Sequence, residues 1–279
     1  MNTVKTYVLL AALGGFFVFL GSRFLGPSGA TIGLIIAFLF VGGSYWFSDK
    51  LAIRASRAVP VSESEAPGLY RMMRDLTMAA QMPMPRLCMT PDPQPNAFAT
   101  GRNEKNAVVA VTQGITKLLS EDELRGVLAH ELAHIKNRDI LIGSVAAAIA
   151  TAISYAAHLA FFFGGSDDDD GGNPIVALAM IFLAPMAAGI IQMAISRSRE
   201  FEADRVAAGL INSGEPLARA LEKLHLGASK IPMRIDPAQA SKYIVNPLSG
   251  RKVSFAKWFS THPPMEERIA RLRAPLAAR

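Results

Sequence analysis

Ser120-Glu121-Asp122-Glu123-Leu124-Arg125-Gly126-Val127-Leu128-Ala129-His130-Glu131-Leu132-Ala133-His134-Ile135-Lys136 is the stretch from which the rest of the chain can be read. Ser120 followed three residues later by Glu123 is a capping-box signature, so a helix is expected to begin at Glu121 and run through His134. Val127, Leu128, Leu132 and Ile135 give that helix an apolar face. His130 and His134 lie four positions apart, which puts both imidazoles on one side of the helix, where they can hold a single zinc ion. Glu131 points beside that ion, within reach of a water. Ordinary residue frequencies produce HExxH in a chain of this length only about once in a hundred. The competing reading is a pair of hydrogen-bonded surface histidines.

A catalytic zinc takes three protein ligands and keeps a further position open. Asn137 and Ile140 stand where a metzincin has glycine and a third histidine, so that class is excluded. His158 lies inside an apolar stretch and reads as a packed helix residue. The acids of Glu200-Phe201-Glu202-Ala203-Asp204 are better placed: at helical spacing Glu200 and Asp204 share a face and Glu202 points away. Glu200 can ligate the metal while Asp204 accepts the outer N–H of a ligand histidine. The alternative is a solvated acidic face balanced by Arg197, Arg199 and Arg205. Charge developing on a scissile carbonyl also needs donors. His262, beside Pro263 and Pro264 at an expected helix start, is the candidate, with Arg268 second; otherwise His262 only shapes that turn.

Upstream, Pro67 to Gln81 reads as an amphipathic helix, Pro60 to Ala66 as a linker, and Met82 to Asn96 as a proline-punctuated connection. Asn96 to Gly101 and Asn106 to Thr112 look like short strands forming a small sheet. Asn96, Ala97, Phe98 and Ala99 are then candidates for binding substrate, because an edge strand can add an extended peptide to its sheet. An ordinary hairpin arm is the alternative. Downstream, Arg199 to Ile211 and Pro216 to His225 read as helices, Ile231 to Phe259 as loop, and a last helix starts near Pro263.

The chain has 279 residues, 51% of them hydrophobic, and the distribution of the apolar residues is more telling than their number. Thr6 to Ser22, Ser28 to Phe47, Ile140 to Phe163 and Ile175 to Ile195 contain almost no charge. Each approaches or exceeds the roughly 20 residues that cross a bilayer as a helix. The first, preceded by Lys5 and followed by Ser28-Gly29-Ala30, can alternatively be a cleaved signal. Lys50, Arg54, Arg57, Lys136, Arg138, Arg197 and Arg199 flank these stretches and place both polar regions on the cytosolic side. Asp167 to Asp170, among glycines, read as a solvated hairpin on the other side. The lone cysteine, Cys88, excludes an intrachain disulfide and fits a reducing compartment. The formal charge of +6 is explained by basic residues beside apolar spans, and no nucleic-acid motif accompanies it.

The fold class expected is therefore a mainly α membrane protein: four transmembrane helices plus a cytosolic α+β domain with a small sheet. The parts are a hairpin over 1–47, a domain part with the HExxH helix over 48–139, a second hairpin over 140–195, and a domain part carrying the third ligand over 196–279. An intramembrane metalloprotease is disfavoured because Lys136, Arg138 and Asp139 set the site at the boundary and no aspartate interrupts the fourth stretch. A scaffold holding zinc structurally would close the open position and would have no use for Glu131.

HELAH at 130–134, SRSREFEAD at 196–204, STHPPMEERIARL at 260–272 and NAFATG at 96–101, in this order around apolar pairs, resemble the HtpX membrane proteases, relatives of the CAAX prenyl endopeptidases. The resemblance covers nearly the whole chain. It implies a zincin-like gluzincin fold and one zinc ion per chain on His130, His134 and Glu200, with Glu131 as base. It also implies a role in quality control of misfolded or unfolded membrane proteins at the bacterial inner membrane.

Overall fold

A computed structural model describes residues 53–54, 56–101, 103–139, 197–230 and 263–275, with scattered positions before residue 53. The expected spans from residue 140 to 195, the Asp167 to Asp170 hairpin, the 231–259 loop and His262 lie outside the described residues, as does most of the first two spans. Among the described residues no helix is long and apolar enough to cross a membrane. The chain divides into two compact units, Met1–Trp46 with Leu141–Ile195, and Phe47–Ile140 with Ser196–Arg279.

The second unit is mainly helical around one small mixed sheet. Its elements are β1 (Val59–Pro60), α1 (Pro67–Ala80), β2 (Arg86–Thr90), β3 (Ala97–Thr100), β4 (Val108–Thr112), α2 (Gln113–Leu118), α3 (Glu121–Lys136), α4 (197–210), α5 (Glu215–Lys230) and α6 (Met265–Arg273). The strand order is β1-β2-β4-β3. β2 and β4 run parallel, and β1 and β3 pair antiparallel to them on either side. β3 is therefore an edge, with Ala97 opposite Val111 and Ala99 opposite Val109.

β4 is apolar without alternation because both faces of the sheet are covered. Val109 and Val111 join the main core with Met73 and Leu76 of α1, Leu128 and Leu132 of α3, Leu217 and Leu221 of α5, and Leu272 of α6. Val108 and Ala110 turn to the other face with Ala58, Cys88 and Phe98. Phe98 is thus committed to that second cluster.

Three elements depart from the sequence expectation. β1 ends on the first residue of the expected linker; a proline in a two-residue edge strand breaks no inner hydrogen bond. β2 lies between Pro85 and Pro91, in the stretch expected as connection, because the prolines flank the strand and leave Arg86 to Thr90 free to pair. α2 is capped by Thr112, whose hydroxyl accepts from the Ile115 N–H at 3.1 Å.

The capping box at α3 is formed: the Ser120 N–H donates to Glu123 Oε2 at 2.9 Å and the Ser120 hydroxyl accepts from the Glu123 N–H at 3.4 Å. α3 packs against α1, β3 and α5. Gly126 permits the α5 approach: a Cβ there would stand 2.7 Å from the Leu217 backbone nitrogen.

Candidate metal centre

α3 supplies the first half of the site. His130 and His134 present their Nε2 atoms to the same point, 3.1 Å apart, and their rings meet edge to face. α4, which follows the fourth apolar stretch in sequence, supplies the other half. Glu200 Oε2 lies 3.6 Å from His130 Nε2, and Glu200 Oε1 lies 3.4 Å from His134 Nε2. Donors tetrahedrally placed about 2.0–2.1 Å from a zinc ion stand roughly 3.3 Å from one another, so the three side chains fit that ion to within a few tenths of an ångström. These three form a candidate metal-binding group among the described residues.

The atoms behind the ligands are ordered too. His134 Nδ1 hydrogen-bonds to Asp139 Oδ2 at 2.9 Å. Asp204 Oδ1 is 2.9 Å from His130 Nδ1. Arg268 grips Asp204 through a fork, Nε to Oδ2 at 2.8 Å and Nη2 to Oδ1 at 2.7 Å. Its Nη1 lies 3.2 Å from Glu200 Oε2. Arg199 Nη1 donates to the Asp139 carbonyl at 2.6 Å.

The charges explain what such a pocket attracts. Glu131, Asp139, Glu200 and Asp204 are four buried carboxyl groups facing two guanidinium groups, Arg199 and Arg268, so with neutral imidazoles the formal balance is 2 − 4 = −2. A divalent cation cancels it. Without one, protons are drawn in: burial works to lower the His134 pKa, but hydrogen bonds to Asp139 and Glu200 outweigh it and push it up to about 10. His130 moves the same way, burial being overcome by Asp204 and Glu200. Burial holds the Glu131 carboxyl above the ordinary glutamate value, aided by the nearby Glu200 charge and opposed by both histidines and by a hydrogen bond from the Ala99 backbone. Asp204 is held low because Arg268 overcomes the effect of burial.

The geometry brings His130, Glu131, His134, Glu200 and Asp204 together. Glu202 is exposed and pairs with Arg205 at 2.6 Å, so the solvated-face alternative describes that residue and not its neighbours. Arg268 differs from its expected place at the substrate: it is 0% exposed, and its guanidinium faces inward to Asp204 and Glu200. The need to neutralise two buried carboxylates puts it behind the site. Of the expected substrate residues, Ala97 and Phe98 are buried, and Asn96 is tied to Thr112: its N–H donates to the Thr112 hydroxyl and its carbonyl accepts from the Thr112 N–H, each at 2.9 Å. Ala99 is half-buried and lies beside Glu131. Asp139 was not expected as a site residue; a carboxylate five positions beyond His134, just after the helix end, was the available signal.

Comparison with known proteins agrees with this geometry. Residues 63–276 match the family model described as Peptidase family M48. A Protease HtpX homolog from Pelotomaculum thermopropionicum is 52% identical over 280 residues, covering 98% of this chain and 99% of that protein. One from Syntrophobacter fumaroxidans is 50% identical, covering 97% and 98%. One from Burkholderia thailandensis is 51% identical, covering 97% and 96%. Among solved structures, S. mikatae Ste24p matches with a TM-score of 0.55 at 19% identity, a likeness of fold that takes in 98% of this chain and 65% of that one. The chain belongs to peptidase family M48 and is a membrane-associated zinc metalloprotease.

Proposed function

We propose that this enzyme is an endopeptidase anchored by two transmembrane hairpins, 1–47 and 140–195, whose domain, built from 48–139 and 196–279, cleaves unfolded or misfolded proteins on the cytosolic side of a bacterial inner membrane. The convergence of His130, His134 and Glu200 carries the catalytic part of the reading. The anchoring is supported by the expected second span: its described residues from 29 to 46 are helical, and Ile32, Leu34, Ile35, Leu39 and Trp46 are each more than 40% exposed, an apolar surface suited to lipid. The basic residues beside the apolar stretches, Lys50, Arg54, Arg57, Lys136, Arg138, Arg197 and Arg199, support a cytosolic domain.

His130, His134 and Glu200 would hold the zinc, which supplies a Lewis acid for the scissile carbonyl and makes water more acidic. Glu131 accepts the proton of the attacking water and returns it to the leaving amine, a task suited to a carboxyl whose pKa burial has raised. Asp204 and Asp139 orient the two imidazoles, and Arg268 holds Asp204 and Glu200 in place. His262 supplies a donor to the developing oxyanion. Substrate lies extended along β3 at Asn96, Ala97, Phe98 and Ala99, recognised through the backbone. Quality control of membrane proteins is the role such tolerance suits.

Purified enzyme tests the reading directly. Glu131→Gln should retain zinc and lose cleavage of an unfolded polypeptide by several orders of magnitude, because both proton transfers depend on it. Glu200→Ala should lose zinc, whereas Glu202→Ala should keep it. Undiminished cleavage by Glu131→Gln, or equal zinc in the two other variants, overturns the assignment.

A further inference from the structure

α1 and α3 run side by side in the same direction: Arg71 pairs with Glu121 at 2.6 Å, Asp75 with Arg125 at 4.0 Å, and Lys136 Nζ donates to the Ala80 carbonyl at 3.2 Å. Both helices therefore end at the same edge of the domain, and α3 stops four residues before Ile140, where an apolar stretch starts. After α1 the chain turns back on itself, the Met82 N–H donating to the Thr77 carbonyl at 3.0 Å and the Thr77 hydroxyl lying 4.0 Å from Met84 Sδ. Met78 is left 64% exposed and Met84 38% exposed, with Pro83 also exposed between them in sequence.

These apolar side chains have no acidic neighbour in sequence between Asp75 and Asp92. Arg86, two residues beyond Met84, and Lys136 and Arg138, at the end of α3 beside the Ala80 carbonyl, are exposed and basic. An apolar tip beside basic residues is a composition suited to the headgroup layer of an anionic membrane. Methionine suits it, being flexible and able to pack against disordered acyl chains.

We propose that the corner of Met78, Pro83, Met84, Arg86, Lys136 and Arg138 rests on the bilayer surface, with the methionines in the interfacial layer and the basic groups on anionic headgroups. The inference rests on the membrane anchoring proposed above and adds a contact that this anchoring does not require. The contact fixes how the domain is tilted, because it supplies a point of attachment apart from the chain crossings.

Spin labels test it in the full-length protein, reconstituted in vesicles of phosphatidylcholine and phosphatidylglycerol. Single cysteines replace Met78, Met84, Leu39 or Leu226 in a Cys88→Ala background. If that background fails to fold, native Cys88 is kept, its burial shielding it from the label. Collision with oxygen, concentrated in hydrocarbon, is compared with collision with a water-soluble nickel chelate. Labels at 78 and 84 should have an oxygen-to-nickel ratio several-fold above that at 226, an exposed position on α5, and the ratio should fall when phosphatidylglycerol is omitted. Water-like values at 78 and 84 with a lipid-like value at 39 overturn the corner contact and leave the anchoring intact. A water-like value at 39 overturns both. Labels at 78 and 84 shielded from oxygen and nickel alike mean that a protein covers the corner, which also overturns it.

Discussion

Arg268 and Asp204 are joined by two hydrogen bonds of 2.8 and 2.7 Å, and both side chains are closed off from solvent. They come from helices far apart in sequence, so the pair locks α6 to α4 directly behind Glu200. Replacing Arg268 with methionine leaves Asp204 buried without its counter-charge and should destabilise the domain by about 3–5 kcal/mol. Arg268→Lys keeps a charge but not the fork, and should fold while binding zinc at least about 10-fold more weakly. Thermal unfolding and competition against a chromophoric chelator measure the two effects. Unchanged zinc affinity in a folded Arg268→Lys enzyme would show that the fork does not position the ligand.

Asp139 gives a companion prediction at the other histidine. Removing its carboxylate by Asp139→Ala frees the His134 Nδ1–H and should weaken zinc binding by about 10–100-fold. Asp139→Asn retains an acceptor oxygen and should recover part of that loss. Parental affinity in both variants would show that the carboxylate does not hold His134 and that the Arg199 contact to the Asp139 carbonyl, which neither substitution removes, is enough.

Ala99→Pro removes the backbone N–H that hydrogen-bonds Glu131 at the edge of the sheet where an added strand would pair. Zinc content should be unchanged while KM rises or cleavage disappears, and Ala99→Ser, which keeps the N–H, should behave as the parent. Parental peptide kinetics in a folded, zinc-loaded Ala99→Pro enzyme would reject β3 as the substrate edge.

Glu123 links stability to pH. Burial acts to raise its pKa, but a hydrogen bond from Lys223 at 2.7 Å and those from Ser120 hold it below the ordinary value. A carboxyl with a depressed folded pKa contributes stability that is fully present above its unfolded pKa of about 4.3 and is lost as pH falls through the folded value. Glu123→Gln can still accept from Ser120 and loses only the charge. It should unfold about 1 kcal/mol more easily at pH 7, the partner Lys223 being half exposed. Unfolding curves in detergent across pH 7 to about 3 should show this gap closing on the acid side. A gap that stays constant would mean that charge plays no part.

The helix that carries the chemistry was legible because its signals are local: a capping pair, an apolar face and two histidines one turn apart. Glu200 and Asp204 were legible for the same reason once a third ligand was required, their four-residue spacing separating them from Glu202. Arg268 was seen but misplaced, since its partners come from α4 and no spacing rule connects residue 204 to residue 268. β2 was missed because five prolines in its surroundings speak louder than five strand residues, although parallel pairing with β4 makes it central to the sheet. Asp139 went unnoticed because it lies just beyond the helix end, where helical periodicity no longer says which way a side chain points.

The site residues are divided along the chain: His130 and His134 come before Leu141–Ile195, the second segment of the other compact unit, and Glu200, Asp204 and Arg268 come after it. A ribosome adding about 5–20 residues per second needs several seconds to travel from His134 to Glu200. During that interval the nascent chain carries the base and two imidazoles but no third ligand, so it cannot yet cut itself or the unfinished chains around it. Activity is thereby deferred until the apolar segment between the two halves has been made, and a chain truncated within that segment is born inert.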